Sequence, residues 1–185
     1  IGSFFLAEAI RIHRLDRRLA FAVLALPMVG ERPIRIMLAV AVVSGVVSAF
    51  ISNTATTAMM VAIVAGMLSA VEEAGTKANC CPKPEFATGL FLCVAFAASI
   101  GGLATPIGTP PNVIGLAFIR EQLGVHISFF EWCLIGAPVS ICLILLSTLL
   151  LALSFPAGVR HIEGMSQLVT NERAQLGSWT TAQRS

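Results

Sequence analysis

The sequence predicts an all-α polytopic membrane protein, and two observations lead to that prediction. Hydrophobic residues make up 56% of the chain and charged residues only 12%, whereas soluble domains carry about 25% charged residues. Charge is also absent from three long apolar stretches, residues 36–71, 86–119 and 133–155. Stretches of this kind are typical of membrane helices. The basic residues lie between them and form no stripe, so a nucleic-acid partner is not expected.

The first segment, residues 1–35, joins the end of an apolar run to a basic cluster. Residues 11–18 contain four arginines, and residues 19–30 are apolar but too few for a span of about 20 residues. The pattern predicts the end of a membrane helix and then an interfacial helix held at the lipid surface by basic residues. Because the chain starts inside an apolar run without an initiator Met, we expect it to be an excerpt of a longer protein.

The charge-free stretch 36–71 predicts a re-entrant helical hairpin. It is too long for one membrane helix and too short for two spans of about 20 residues and a turn. Near its middle lies Ser52-Asn53-Thr54, here called the tip. Non-helical backbone at membrane depth is tolerated where it lines a cavity, so the tip should face one. A polar cytoplasmic loop follows at residues 72–85.

The second stretch, residues 86–119, predicts a broken transmembrane helix. Three prolines, Pro106, Pro110 and Pro111, remove backbone donors near its middle. We therefore expect one half to end near Ala104 and the other to start near Asn112. An outer loop, a conventional transmembrane helix and a polar cytoplasmic linker should follow, at residues 120–132, 133–155 and 156–185.

The basic residues also predict an orientation. If the hairpin returns to its own side, every Lys and Arg except Arg120 lies on one side of the membrane, and the positive-inside rule makes that side cytoplasmic. We expect an integral protein of a bacterial inner or plasma membrane, with the hairpin entering from the cytoplasmic side. Two full spans would give the same charge count, so the hairpin prediction depends on length.

Both interruptions are rich in small hydroxyl and amide residues and lack charge. A helix N-terminus offers free N–H groups to an anion, and a helix C-terminus offers carbonyls to a hard cation such as sodium. Binding the two ions side by side reduces the cost of burying either. The alternative is that the hydroxyls only pack and the prolines only kink a helix. The presence of two such interruptions favours a site.

Two segments carry a family resemblance. Residues 48–60 (SAFISNTATTAMM) resemble the first signature of the divalent anion:sodium symporter family, and residues 98–112 (ASIGGLATPIGTPPN) resemble its second conserved segment. The resemblance implies the N-terminal inverted repeat of an elevator transporter that works as a homodimer. Only one Ser-Asn-Thr hairpin is present, so the chain would be one half, and the missing second repeat would be its partner.

The resemblance also implies roles for individual residues. It assigns sodium binding to Ser48, Ser52, Asn53 and Gly108. It assigns contacts with the substrate carboxylate to Ser52, Asn53, Thr54 and Thr109. Supporting roles fall to Thr105, Pro110, Pro111 and Asn112.

The expected function is secondary active transport of small di- or tricarboxylates, with sodium as the coupling ion and no other cofactor. Within transport, the alternatives are a dicarboxylate exchanger and a carrier of sulfate or another inorganic anion. From other classes, the alternatives are a membrane-embedded enzyme and a non-transporting membrane fragment. The sequence contains no catalytic triad arrangement or zinc hydrolase motif, which argues against an enzyme.

Overall fold

The computed structural model describes residues 32–78 and 83–159, and every regular element in that part of the chain is an α-helix. The five helices are α1 (Pro33–Ser48), α2 (Asn53–Ala78), α3 (Pro84–Gly101), α4 (Pro110–Leu123) and α5 (Phe129–Ser154). The all-α prediction is therefore confirmed for this part. The predicted interfacial helix and most of the predicted polar linker lie outside the described residues.

The helix ends follow local sequence rules. Proline is the first residue of three helices, namely Pro33, Pro84 and Pro110, a position where its missing N–H costs no intrahelical bond. Helix α5 starts with a capping box, in which Ser128 N–H donates to Glu131 Oε2 at 2.7 Å and Glu131 N–H donates to Ser128 Oγ at 3.3 Å. Gly124 ends α4 with a positive φ of 64°.

Helix α3 lies at the centre of the fold and packs against α1, α2 and α5. Phe86, Leu90 and Val94 are spaced four residues apart on α3 and are at most 1% exposed, so one face of this helix forms the core. A Cβ atom on Gly101 would collide with the backbone of Gly45 on α1. The close crossing of α1 and α3 thus requires glycine there, and it brings the ends of both helices together.

Two of the described helices are long and apolar enough to cross a membrane: α3, with 18 residues, and α5, with 26. Helix α5 leaves Leu134 75% and Leu153 72% exposed, as expected of a surface in contact with lipid. Helix α1 has only 16 residues, which gives a length of about 24 Å, less than the roughly 30 Å thickness of the hydrocarbon core.

The helix boundaries differ from the expected ones at several points. Helix α2 runs through Glu72 to Ala78, into the segment expected to be a loop. Helix α3 ends at Gly101 instead of near Ala104, and α4 starts at Pro110 instead of near Asn112. The break in the second apolar stretch therefore consists of the eight residues 102–109.

Candidate functional site

The turn between α1 and α2 brings one helix C-terminus and one helix N-terminus together. Helix α1 ends at Ser48, and the carbonyl of Val47 accepts two N–H groups from the turn, at 3.1 and 3.0 Å. Helix α2 begins at Asn53, and the hydroxyl of Ser52 accepts the N–H of Ala55 at 3.3 Å. Ser52 thereby caps α2 and keeps its own hydroxyl hydrogen for another partner.

A buried group of oxygens lies beneath this turn. The Oγ of Ser48, which is fully buried, lies 2.7 Å from the side-chain oxygen of Asn53 and 2.6 Å from the carbonyl oxygen of Ala98 on α3. The hydroxyl has one hydrogen and can donate to only one of these two acceptors. An oxygen lone pair is left without a hydrogen, and such a set of uncharged oxygens suits a hard cation.

The break is held in shape by one amide and one hydroxyl. The Nδ2 of Asn112, whose side chain is 5% exposed, donates to the carbonyl oxygens of Gly102 at 2.8 Å and Thr105 at 2.9 Å. The hydroxyl of Thr105 donates to the carbonyl oxygen of Ala49 in the turn between α1 and α2. Asn112 therefore fixes the path of the break, and Thr105 ties the break to the turn.

Two glycines let the break lie directly against the turn. A Cβ atom on Gly102 would lie 2.6 Å from Oδ1 of Asn53. A Cβ atom on Gly108 would lie 2.6 Å from the carbonyl oxygen of Gly102 and 3.1 Å from that of Ala49. A side chain at either position would push the two segments apart, so the oxygen group beneath the turn depends on both glycines.

Burial divides the residues predicted from the sequence into three groups. The buried ones are Ser48, Thr105, Gly108 and Asn112. Those of intermediate burial are Asn53 and Thr109. The exposed ones are Ser52, Thr54, Pro110 and Pro111. Thr109 also precedes α4 without making a side-chain cap, so its hydroxyl is available to a ligand. The Ser48 side chain is thus buried, whereas Ser52 and Thr54 are exposed.

The two helix N-termini at the site are not equivalent. The first two residues of α4 are Pro110 and Pro111, which have no N–H, and the N–H of Asn112 already donates to the carbonyl of Thr109 at 3.1 Å. The free N–H groups expected after Pro111 therefore do not include that of Asn112. Helix α2, which starts with Asn53, is the better candidate for binding an anion.

The structure adds residues that the sequence analysis did not assign to the site. Ala98 and Gly102 take part through backbone atoms, for which a side-chain pattern gives no signal. Thr56 is 1% exposed, and its hydroxyl has no hydrogen-bond partner in the described part of the chain. The one sequence feature that pointed to Thr56 was its position two residues after the tip.

The chemistry of the site is that of uncharged oxygens. The tip and residues 98–112 contain no charged side chain. Among the described residues, no group of three or more His, Cys, Asp or Glu could hold a metal ion. A hard monovalent cation can be held by hydroxyl, amide and backbone oxygens without a carboxylate. The donor set of hydroxyl, amide and backbone oxygens therefore fits sodium.

Comparison with known proteins identifies the family. The family model for the sodium:sulfate symporter transmembrane region matches residues 1–185. The sodium-dependent dicarboxylate transporter SdcS of Staphylococcus saprophyticus is 33% identical over 182 residues, which are 96% of this chain and 34% of the relative. SdcS of Staphylococcus aureus is 32% identical over 181 residues, again 96% and 34%.

The chain spans about a third of the length of these curated relatives, since it covers 34% of each. The family consists of membrane transporters, so this chain is part of an integral membrane protein and not of an enzyme. The resemblance seen in the two segments around the tip and the break is thereby confirmed. The chain belongs to the divalent anion:sodium symporter family.

Proposed function

We propose that the full-length protein couples sodium entry to the uptake of small di- or tricarboxylates, and that this chain supplies one half of the binding site. The observation that carries the proposal is the pair of oxygens of buried Ser48 and half-buried Asn53, 2.7 Å apart, with Asn53 flanked in the chain by the exposed residues Ser52 and Thr54. Sodium is the coupling ion, and no other cofactor is needed. The relatives named as sodium-dependent dicarboxylate transporters support the substrate class.

Sodium is bound by the oxygens beneath the turn. Ser48 Oγ and Asn53 Oδ1, 2.7 Å apart, are the side-chain ligands, and Ser52 and Gly108 add backbone carbonyls. The cation binds the oxygen lone pair that receives no hydrogen from the Ser48 hydroxyl. Because the ligands are uncharged, the site keeps a net positive charge when it is occupied, and that charge favours a carboxylate nearby.

The carboxylate is bound on the exposed side of the same turn. Ser52, Asn53 and Thr54 present hydroxyl, amide and backbone N–H groups at the positive end of α2, a helix of 26 residues. Thr109, the residue before α4, makes no side-chain cap and contributes its hydroxyl from the break. Each ion lowers the cost of desolvating the other, which is the physical basis of coupling.

The proposed architecture follows the family resemblance. Helices α1 and α2 form a re-entrant hairpin that enters from the cytoplasmic side. The length of α1, 16 residues, is too short for a full span and supports the re-entrant path. A second inverted repeat supplies the other half of the site, in keeping with the 34% coverage of the relatives. The whole protein is a homodimer in which the helices around the site move as an elevator.

Two other anion-transport functions remain as competitors. A sulfate carrier is favoured by the description of the family as sodium:sulfate symporters. A dicarboxylate exchanger would use the same anion contacts without net sodium coupling. Both share the anion contacts of the tip, so they differ from the leading proposal in substrate and in ion dependence only.

The test is uptake by the full-length protein in liposomes. Radiolabelled succinate and radiolabelled sulfate are each supplied with and without an inward sodium gradient, for the wild type and for Asn53→Ala. We expect succinate uptake that needs sodium and is lost in the variant. Succinate uptake that is indifferent to sodium would make the protein an exchanger. Uptake of sulfate alone would transfer the assignment to inorganic anions.

A further inference from the structure

Helix α5 contacts the end of α3 through one stripe of residues. The Nε1 of Trp132 donates to the carbonyl oxygen of Leu103 at 3.0 Å, and the Oγ of Ser140 donates to the carbonyl oxygen of Ile100 at 3.1 Å. Ile100 belongs to the last turn of α3, and Leu103 lies in the break, just beyond the C-terminus of that helix. Residues spaced four apart share a helix face, so α5 directs two donors at the same terminus.

Gly136 lies midway between Trp132 and Ser140 on α5, and there is no room for a side chain at this position. A Cβ atom on Gly136 would lie 2.7 Å from the carbonyl oxygen of Leu103 and 3.2 Å from that of Ala104. The backbone of α5 therefore rests directly on the first carbonyls of the break. Trp132, Gly136 and Ser140 together form what we call the α5 stripe.

The α5 stripe and the sodium ligands contact neighbouring residues of the break. Leu103 accepts the bond from Trp132, and Gly102, the residue before it, lies beneath the amide of Asn53 with no room for a Cβ atom. One peptide unit separates the two contacts. A shift of the Leu103 carbonyl must therefore move Gly102, which would change where Asn53 places its oxygen.

We propose that Trp132, Gly136 and Ser140 are positioning residues that set the sodium affinity of the transporter without touching sodium or substrate. The inference rests on the sodium site proposed above. The Leu103 carbonyl lies beyond the end of α3 and belongs to the break. Packing of α5 against α3 alone would therefore not require a hydrogen-bond donor at Trp132. The α5 stripe fixes the position of the break, and the break in turn fixes the position of the Asn53 side chain.

The experiment uses the full-length transporter in liposomes and measures succinate uptake against sodium concentration. Trp132→Phe removes the N–H donor and keeps an aromatic ring, and Ser140→Ala removes the hydroxyl donor. Ser147→Ala is the matched control, because Ser147 lies on the same helix and its hydroxyl donates to the carbonyl of Ile144 in that helix, at 3.1 Å. Ser140→Ala decides the test if Trp132→Phe does not fold.

We expect each stripe variant to raise the half-saturating sodium concentration about fivefold, the equivalent of one neutral hydrogen bond. The maximal rate and the half-saturating succinate concentration, measured at saturating sodium, should stay at the wild-type level. A loss of rate at all sodium concentrations, no change, or an equal shift in Ser147→Ala would overturn the inference alone. Wild-type uptake without sodium dependence would overturn the proposed function as well.

Discussion

Replacing Asn112 by alanine is the most informative perturbation of the break. Its amide donates to two carbonyl oxygens, those of Gly102 at 2.8 Å and Thr105 at 2.9 Å. The Thr105 carbonyl keeps a second donor, the N–H of Gly108 at 3.3 Å, whereas the Gly102 carbonyl has no other partner within the described residues. The variant therefore weakens one acceptor and leaves the other without a hydrogen bond.

The magnitude follows from this difference. The lost bond to Thr105 costs about 0.5–1 kcal/mol, and the unpaired carbonyl of Gly102 costs about 1–3 kcal/mol, for a total of about 1.5–4 kcal/mol. If binding requires the native shape of the break, this cost appears as a smaller population of the competent state. At about 1.4 kcal/mol for each factor of ten, the half-saturating sodium concentration rises by about 10-fold to about 700-fold.

The assay is sodium-dependent succinate uptake by the full-length protein in liposomes, with thermal unfolding measured on the same preparations. Gln122→Ala is the control, since it removes an amide from an exposed position on the same helix. We expect Asn112→Ala to need more sodium and to unfold at a lower temperature, and the control to match the wild type. If Asn112→Ala matched the wild type in both measurements, the amide would not hold the break, and the reasoning would be refuted.

Three further variants test other parts of the structure. Gly108→Ala should cost about 1–3 kcal/mol by overpacking and abolish sodium-dependent uptake, because its Cβ atom would lie 2.6 Å from the Gly102 carbonyl; unchanged uptake would contradict the close approach. Thr56→Val should raise the unfolding temperature, because it removes a buried hydroxyl that has no hydrogen-bond partner in the described chain. Removing it should relieve a desolvation cost of about 1–3 kcal/mol. A lower unfolding temperature would mean that the hydroxyl is hydrogen-bonded in the whole protein. Ser128→Ala should lower stability by about 1 kcal/mol through the capping box with Glu131 and leave the sodium dependence alone; a changed sodium requirement would contradict a purely capping role.

The sequence located the helices better than it located their ends. Stretches without charge mark membrane-length helices because burying a charge in lipid is costly, and helices α1 to α5 follow those stretches. The same rule fails where a charge lies inside a helix end. Glu131 belongs to the first turn of α5, where its carboxylate accepts the N–H of Ser128, and Glu72 lies within α2. A charge therefore ends the apolar stretch without ending the helix.

The two helix interruptions at the candidate site could be predicted from local sequence. Ser-Asn-Thr and the glycine–proline segment identify two helix interruptions, because those residue types are poor helix formers or good caps. Contacts between distant segments leave no such pattern. Ser48 bonds a carbonyl 50 residues away and Trp132 one 29 residues away, and both acceptors are backbone oxygens. Such contacts appear only when helix packing is known.

The central claim, that the oxygens beneath the turn bind sodium, is tested most directly by comparing two serines of α1. Ser44 and Ser48 are both fully buried, but Ser44 donates to the Val40 carbonyl of its own helix, at 2.7 Å, whereas Ser48 contacts Asn53 and Ala98. The measurement is calorimetric sodium binding to the purified full-length protein with Ser44→Ala or Ser48→Ala. We predict that Ser48→Ala weakens sodium binding at least fivefold, by about 1 kcal/mol or more, and that Ser44→Ala leaves it unchanged. Equal affinities in the two variants would contradict the account.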